Sequence, residues 1–333
     1  MATHGVIRSI EFYLPNDVLT TQSLSDMFPR WGCEEIERKT GIRSRHIAGD
    51  DECSSDLAIT AALRLFSSGA CQPSDIDFLL LCTQSPDYIL PTTACLVQQR
   101  LQIPTTAGAL DIGLGCSGFV YGLGLAEGLI ASGQATSILL ITADTYSKYL
   151  HPADKSTRTL FGDGAAVTWI GAQERNDYAL GPFLYGTDGR GAMNLVVTNS
   201  GTRREKMTQD YLDTKSGHLH MNGNAIFQFA IQTIPDLVDS LLKKAQITIE
   251  EIDLFVFHQA NAFMLEELRL QLKIPRDKMQ ISLLDCANTV SSTIPIALKY
   301  ADLEGKLFNG CLLMLVGFGV GYSWAATLVR WIE

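Results

Sequence analysis

The chain has 333 residues, 46% of them apolar and 19% charged, which excludes intrinsic disorder and collagen-like or low-complexity architectures and leaves room for one large domain or two ordinary ones. With 26 Lys and Arg against 36 Asp and Glu, the formal net charge is −10, which argues against a generic electrostatic grip on nucleic acid or an anionic membrane surface. Eight cysteines form no C-x-x-C pair and the opening MATHGVIRSIEFYLP lacks a basic-then-apolar profile, so reduced thiols in a cytoplasmic setting are expected.

In chain order, residues 28 to 56 are irregular and gather Arg38, Lys39, Arg43, Arg45 and His46, which reads either as a phosphate-binding edge or as a solvated face. From 75 to 104, DIDFLLLCTQSPDYILPTTACLVQQRLQIP runs as an acidic residue, Ile-Asp, an apolar strand, a polar turn, an amphipathic helix and a closing Ile-Pro. GALDIGLGCSGFVYGLGLAEGLIASG then reads as strand, small-residue turn and helix, and SILLITAD and GAAVTWIG end this half as strands. Residues 187 to 224 are the most polar and least periodic part and read as an inserted surface region. The first layout then recurs in EIDLFVFHQANAFMLEELRLQLKIP, 251 to 275, and such internal similarity marks two related units. ISLLDCANTVSSTIPIALKYADLEG again predicts strand, turn and helix, which places Asn288 at the turn that mirrors Cys116.

Residues 307 to 329 carry no charge and are long enough to span a bilayer. Four glycines divide the run into CLLMLV and YSWAATLV, each of strand length, so two core strands joined by a glycine turn is the better reading. The whole chain is therefore expected to form an α/β fold of two pseudo-symmetric halves, 1–175 and 176–333, fused into one unit. Strands alternating with helices predict mostly parallel sheets covered on both faces, in stacked layers.

A cysteine in such a chain is ordinarily a small buried hydrophobe. Cys116 differs because it opens a helix, where free amides and the dipole favour thiolate, and Gly113, Gly115, Ser117 and Gly118 would let a substrate reach the sulfur. His258 ends the apolar run LFVF and begins HQAN, at the C-terminal strand edge where α/β proteins place their sites; the alternative is a core histidine. Asn288 reads as an ordinary helix N-cap when taken alone, but the internal symmetry brings it and His258 toward Cys116. GFGVG at 317 to 321 precedes a strand rather than a helix, which argues against a dinucleotide loop, and it offers the Val320 amide to an oxyanion beside the sulfur. GDG at 162 to 164 reads as a tight turn, and His218 and His220 lack a third partner at ligand spacing, so no metal is expected.

GCSGF around Cys116, HQAN at His258, ANTVSSTIP around Asn288 and the closing GFGVGYSW closely resemble the β-ketoacyl-acyl-carrier-protein synthase III family, and TGIRSRHIA (40–48), PTTAC (91–95), FGDGAA (161–166) and MNGNAIF (221–227) extend the resemblance end to end. The resemblance implies a thiolase-like fold in αβαβα layers, a homodimer, a Cys116–His258–Asn288 triad and no cofactor, with acyl-CoA and a malonyl thioester on carrier protein or CoA as substrates. It implies that the amides of Cys116 and Val320 form an oxyanion hole, that Lys39, Asn224, Phe227 and Asn261 meet CoA or its pantetheine arm, and that Phe318 and the partner subunit's Leu90 line the acyl end. Departures accompany it. Glu35 stands where family members carry a Trp that stacks on adenine, Lys155 at that Trp's partner Arg, Lys39 at a phosphate-reaching Arg, and Phe263 and Gln228 at basic carrier-docking positions. Leu90 stands where the gate is commonly Phe. The expected reaction is decarboxylative Claisen condensation in a specialised member. Acyl transfer to an alcohol or amine, and a silent partner subunit, are the alternatives.

Overall fold

A computed structural model describes residues 2–203 and 216–332. The strands are β1 (Ala2–Tyr13), β2 (Asp17–Thr20), β3 (Ser44–Ile47), β4 (Phe78–Cys82), β5 (Gly108–Ile112), β6 (Ser137–Asp144), β7 (Gly164–Arg175), β8 (Leu180–Thr187), β9 (Leu195–Val197), β10 (Leu219–Met221), β11 (Leu254–Phe257), β12 (Leu312–Gly319) and β13 (Ser323–Arg330). The helices are α1 (Thr21–Met27), α2 (Cys33–Thr40), α3 (Ser54–Ser67), α4 (Thr93–Arg100), α5 (Gly118–Ala131), α6 (Lys155–Arg158), α7 (Gly223–Ala245), α8 (Ala262–Gln271) and α9 (Thr293–Leu303).

The internal repeat is visible at the level of single hydrogen bonds. In each half a short 3-10 turn with a capping box, Gln72 to Asp75 and Thr248 to Glu251, leads to the Ile-Asp pair. Asp77 then accepts from the Thr136 and Ser137 amides at the start of β6, and Asp253 accepts from the Leu312 amide at the start of β12. Each aspartate thus pins the parallel neighbour of its own strand, β6 on β4 and β12 on β11. Helices α4 and α8 end alike, with Gln102 and Lys273 left-handed at φ 56° and 57° and buried Ile103 and Ile274 following. The Ile103 and Ile274 amides reach back five residues to Gln98 and Arg269, the bond that closes a Schellman terminus.

One sheet has the order β1-β7-β6-β4-β5 and the other β11-β12-β13-β8. Between them lie α5 and α9, whose Phe119, Leu123, Ile294 and Leu298 share a core with Leu80, Leu140, Val256 and Leu315. Outside the first sheet pack α3 and α4, and outside the second α7 and α8. This is the expected αβαβα stack of the thiolase-like fold. The uncharged run at 307–329 is resolved by its two faces. Leu313 and Leu315 point into the central core, while Met314, Val316 and Phe318 point into the outer one. A strand buried on both sides must be apolar throughout, and among the described residues no helix is long and apolar enough to cross a membrane.

Four expectations are corrected. The two large sheets are mixed rather than mostly parallel: β4 runs parallel to β5 and β6, and β11 to β12, while β1–β7, β6–β7, β12–β13 and β13–β8 are antiparallel. ISLLD does not form a strand. After one bridge from Met279 to Phe255 and the Gln280 amide bond to the Phe255 carbonyl, the Gln259 side chain takes the Ser282 amide and the ladder stops. The polar segment 187–224 is not only surface. Its β9 and β10 pair, and Leu195 and Leu219 are buried beside Cys116; residues 204–215 of that segment lie outside the described residues. The basic concentration at 38–46 does not form one face. Arg45 is fully buried with its guanidinium on the Thr159 and Leu19 carbonyls, and Arg43 is paired with Asp285 at 2.8 Å.

Candidate active site

The strand ends of the two sheets meet at a cavity lined by Cys116, His258, Asn288, Asn261 and Phe318, with Leu160, Phe161, Leu195, Met221 and Ile226 among its apolar walls. Cys116 sits in the turn between β5 and α5, two residues before the helix begins. The end of β12 runs directly over it. A Cβ on Gly319 would lie 2.9 Å from the Cys116 Cβ and 3.0 Å from its Sγ, and one on Gly317 would lie 2.8 Å from the Ser117 Cα. Only glycine permits this approach. The Ser117 hydroxyl bonds that of Ser323 at 2.6 Å, and Ser323 bonds the Val320 carbonyl at 3.0 Å. That clamp turns the Val320 amide toward the sulfur, where it and the Cys116 amide favour the ionised form.

Those amides do not decide the resting state. Burial first, and then the Asp144 carboxylate, push the Cys116 thiol up to about 12, so the expectation of a resting thiolate is overturned. Cys116 is 5% exposed, and removal from water disfavours a charge more than one helix end favours it. Burial likewise pushes the His258 imidazole down to about 3. Near neutral pH the site therefore holds a thiol and an uncharged imidazole.

His258 follows β11, and its amide bonds the Val316 carbonyl at 2.8 Å. Its Nδ1 lies 2.7 Å from the Thr293 hydroxyl, which also lies 3.1 Å from the Val290 carbonyl. Phe318 packs edge-on to the imidazole at 5.6 Å between ring centres. Asn288 is held through its backbone, whose amide bonds the Leu160 carbonyl at 3.0 Å and whose carbonyl accepts from the Gly162 amide at 3.1 Å. Its Oδ1 takes the Val290 amide at 3.0 Å, and its Nδ2 is 3.4 Å from the Ala260 carbonyl. The flanking Ala287 and Val290 are left-handed at φ 59° and 56°. Such strain in non-glycine residues amounts to about 1–3 kcal/mol each and persists where surrounding bonds over-determine it, commonly at functional sites.

Of the other residues singled out in the sequence, Asn261 lines the cavity and caps α8 through the Met264 amide. Asn224 is exposed on the first turn of α7. Phe227 stacks on Phe263 at 5.4 Å near the mouth, and Gln228 is exposed beside it. Leu90 is 84% exposed in the loop before α4. Lys39 pairs with Glu35 at 2.7 Å, and the Lys39 and Lys155 ammonium groups lie 4.7 and 4.3 Å from the Trp31 ring centre. Thr293, Asp144, Gly317 and Gly319 escaped the sequence reading. A charged residue closing the apolar strand SILLITAD was the one signal available, and it pointed to Asp144. Among the described residues no cluster of three or more His, Cys, Asp or Glu could hold a metal ion.

Comparison with known proteins matches residues 110–189 to 3-Oxoacyl-[acyl-carrier-protein (ACP)] synthase III and residues 242–331 to the C-terminal part of that family. The β-ketoacyl-[acyl-carrier-protein] synthase III of Caldanaerobacter subterraneus subsp. tengcongensis is 35% identical over 319 residues, covering 96% of this chain and 95% of its own. A crystal structure of a 3-oxoacyl-(acyl-carrier-protein) synthase III is 50% identical, with a TM-score of 0.95 over 98% of this chain and 99% of its own. The synthase III of Thermus thermophilus is 33% identical with a TM-score of 0.89, over 98% of this chain and 99% of its own.

Proposed function

The chain belongs to the β-ketoacyl-[acyl-carrier-protein] synthase III family, and from that premise we propose that it joins an acyl group carried on Cys116 to a malonyl thioester by decarboxylative Claisen condensation. The observation that carries this reading is the convergence of Cys116, His258 and Asn288 on one largely apolar cavity. In the first half-reaction the Cys116 sulfur attacks the carbonyl of an acyl-CoA. The Cys116 and Val320 amides receive the oxyanion, CoA sulfur leaves with the proton that the thiol gave up, and an acyl thioester remains on the protein. Fixed amides need no reorganisation as charge develops, which is why removal of one such donor typically slows a reaction by about 100- to 1000-fold.

In the second half-reaction the His258 Nε2–H and the Asn288 Nδ2–H donate to the thioester carbonyl of the malonyl group. Loss of CO2 leaves an enolate whose oxygen these two neutral donors stabilise. The enolate carbon attacks the acyl-Cys116 carbonyl, the Cys116 sulfur is expelled and takes up one proton from solvent to restore the thiol, and a β-ketoacyl thioester departs. Neutral donors suit this step because a cationic imidazole would be costly to bury, and the apolar walls at Leu160, Phe161, Met221 and Ile226 keep water from the enolate. The reaction balances without a cofactor. The acceptor is a malonyl unit on carrier protein or CoA. Asn261, Asn224 and the Phe227–Phe263 stack border the route of its pantetheine arm, Lys39 stands toward the CoA phosphates, and Phe318 and the partner subunit's Leu90 bound the acyl chain in a homodimer.

The test is intact mass after incubation with a panel of labelled acyl-CoAs. An adduct that disappears in Cys116→Ala is expected, and no adduct from any donor sinks the reading. Release of labelled CO2 from malonyl thioester then separates condensation from transfer to an alcohol or amine. Light scattering should give twice the 36.4 kDa chain mass; a monomer removes Leu90 from the acyl site.

A further inference from the structure

One carboxylate beside this cavity has no part in the chemistry above. Asp144 closes β6 and is fully buried. Its Oδ1 accepts from the Gln84 amide at 2.8 Å, and its Oδ2 accepts from the Ser291 hydroxyl at 2.5 Å and the Ser291 amide at 3.3 Å. Two sides of the site are tied to it. Gln84 leans its Oε1 over Gly115, where a Cβ would meet it at 2.4 Å, next to Cys116, and accepts from Tyr146 at 3.0 Å. Ser291 follows left-handed Val290, whose amide holds the Asn288 carboxamide.

The surroundings offer Asp144 no counter-charge. The titratable groups that feel it are Cys82 on β4, Cys116 before α5, Tyr146 and Tyr149 in the turn after β6, and Asp163 before β7, all neutral or acidic. A buried carboxylate is normally paired with a cation. Here it is held by hydrogen bonds alone, from Gln84, which lies over Gly115, and from Ser85 and Ser291.

We propose that Asp144 is a positioning residue for the reaction at Cys116: its charge opposes premature ionisation of the thiol, while its bonds to Gln84 and Ser291 hold the turns that present Cys116 and Asn288. The nucleophile is then protonated until an acyl thioester enters. The inference takes Cys116 as the nucleophile of the condensation, but its test needs no substrate, so a failed acylation assay and a failed test here are separate results.

Burial raises the Asp144 carboxyl to about 7. Its charge therefore appears across the neutral range, and the thiol becomes harder to ionise as it does. Alkylation of Cys116 by iodoacetamide, followed by mass spectrometry of its peptide, reports the thiolate fraction. In the unmodified protein the logarithm of the rate should rise with pH, flatten in a shoulder near pH 7, and rise again. In Asp144→Asn the shoulder should vanish, and the rate at pH 8 to 9 should be about tenfold higher or more, one unit of thiol pKa being tenfold in thiolate. Ser291→Ala keeps the carboxylate and loses a bond to it, so there the shoulder should move to higher pH. A profile without a shoulder in the unmodified protein, or identical profiles in folded Asp144→Asn, overturns the proposal. If Asp144→Asn does not fold, the unmodified profile and its displacement in Ser291→Ala decide.

Discussion

Thr293 has one hydroxyl proton and two acceptors within reach, the His258 Nδ1 and the Val290 carbonyl. When the proton goes to Nδ1, Nε2 carries the imidazole hydrogen and can donate into the cavity, as the decarboxylation step requires. Thr293→Val keeps the shape and removes this control. It should slow release of CO2 from malonyl thioester by about tenfold or more while leaving acylation of Cys116 within about twofold, and Thr293→Ser should restore it. An equal loss in both half-reactions would assign Thr293 to packing. Cys116 and His258 stand out at this scale because each follows an apolar strand, β5 and β11, at the start of a turn, whereas Asn288 has no strand before it and drew notice through the repeat alone. Thr293 was not legible, since its role comes from a contact with a residue 35 positions away.

Among elements, the two aspartates after isoleucine do the same job in each half, fastening the first amides of the neighbouring parallel strand. Replacing Asp77 or Asp253 with Ala removes these largely exposed hydrogen bonds, which water can replace, and each variant should lose about 0.5–1.5 kcal/mol in denaturant unfolding. The crossing of β12 over Cys116 makes a different prediction. Gly319→Ala places a methyl 3.0 Å from the sulfur, so acylation should fall by about tenfold or more with a smaller change in unfolding midpoint. Normal acylation would show that the sulfur has room to move. The repeat in the sequence foretold β4, β11, α4 and α8 correctly. It failed at ISLLD, because the side chain of Gln259 competes for the ladder amide at Ser282, a competition that no periodicity records.

For the whole molecule, two buried groups beside the cavity oppose one another with pH. His258, lowered from 6.5 to about 3, contributes stability that is present above pH 6.5 and lost as pH falls toward 3, because there the unfolded chain binds the extra proton. Asp144, raised from 3.8 to about 7, contributes stability present below pH 3.8 and lost as pH rises through 7. Relative to the unmodified protein, Asp144→Asn should therefore lose stability more steeply on acidification between pH 6.5 and 4. A variant lacking the imidazole, His258→Asn, should instead lose stability more steeply as pH rises across that window. Parallel stability curves for all three would mean that neither group is buried as described.

The amino-acid sequence by itself determined the layered α/β architecture and the kinship of the two halves, because hydrophobic period, capping residues and the Ile-Asp and Ile-Pro signals are local. Local too were the signals that singled out Cys116 and His258 as candidates, each placed just after a strand. Only the tertiary structure decided the charge state of the site. A helix end argued for a thiolate from the sequence, but burial is a property of everything packed around the sulfur. Residues distant in the chain, among them Phe161, Leu195 and Val320, close over Cys116 and, with the buried Asp144 carboxylate, make the neutral thiol the resting form.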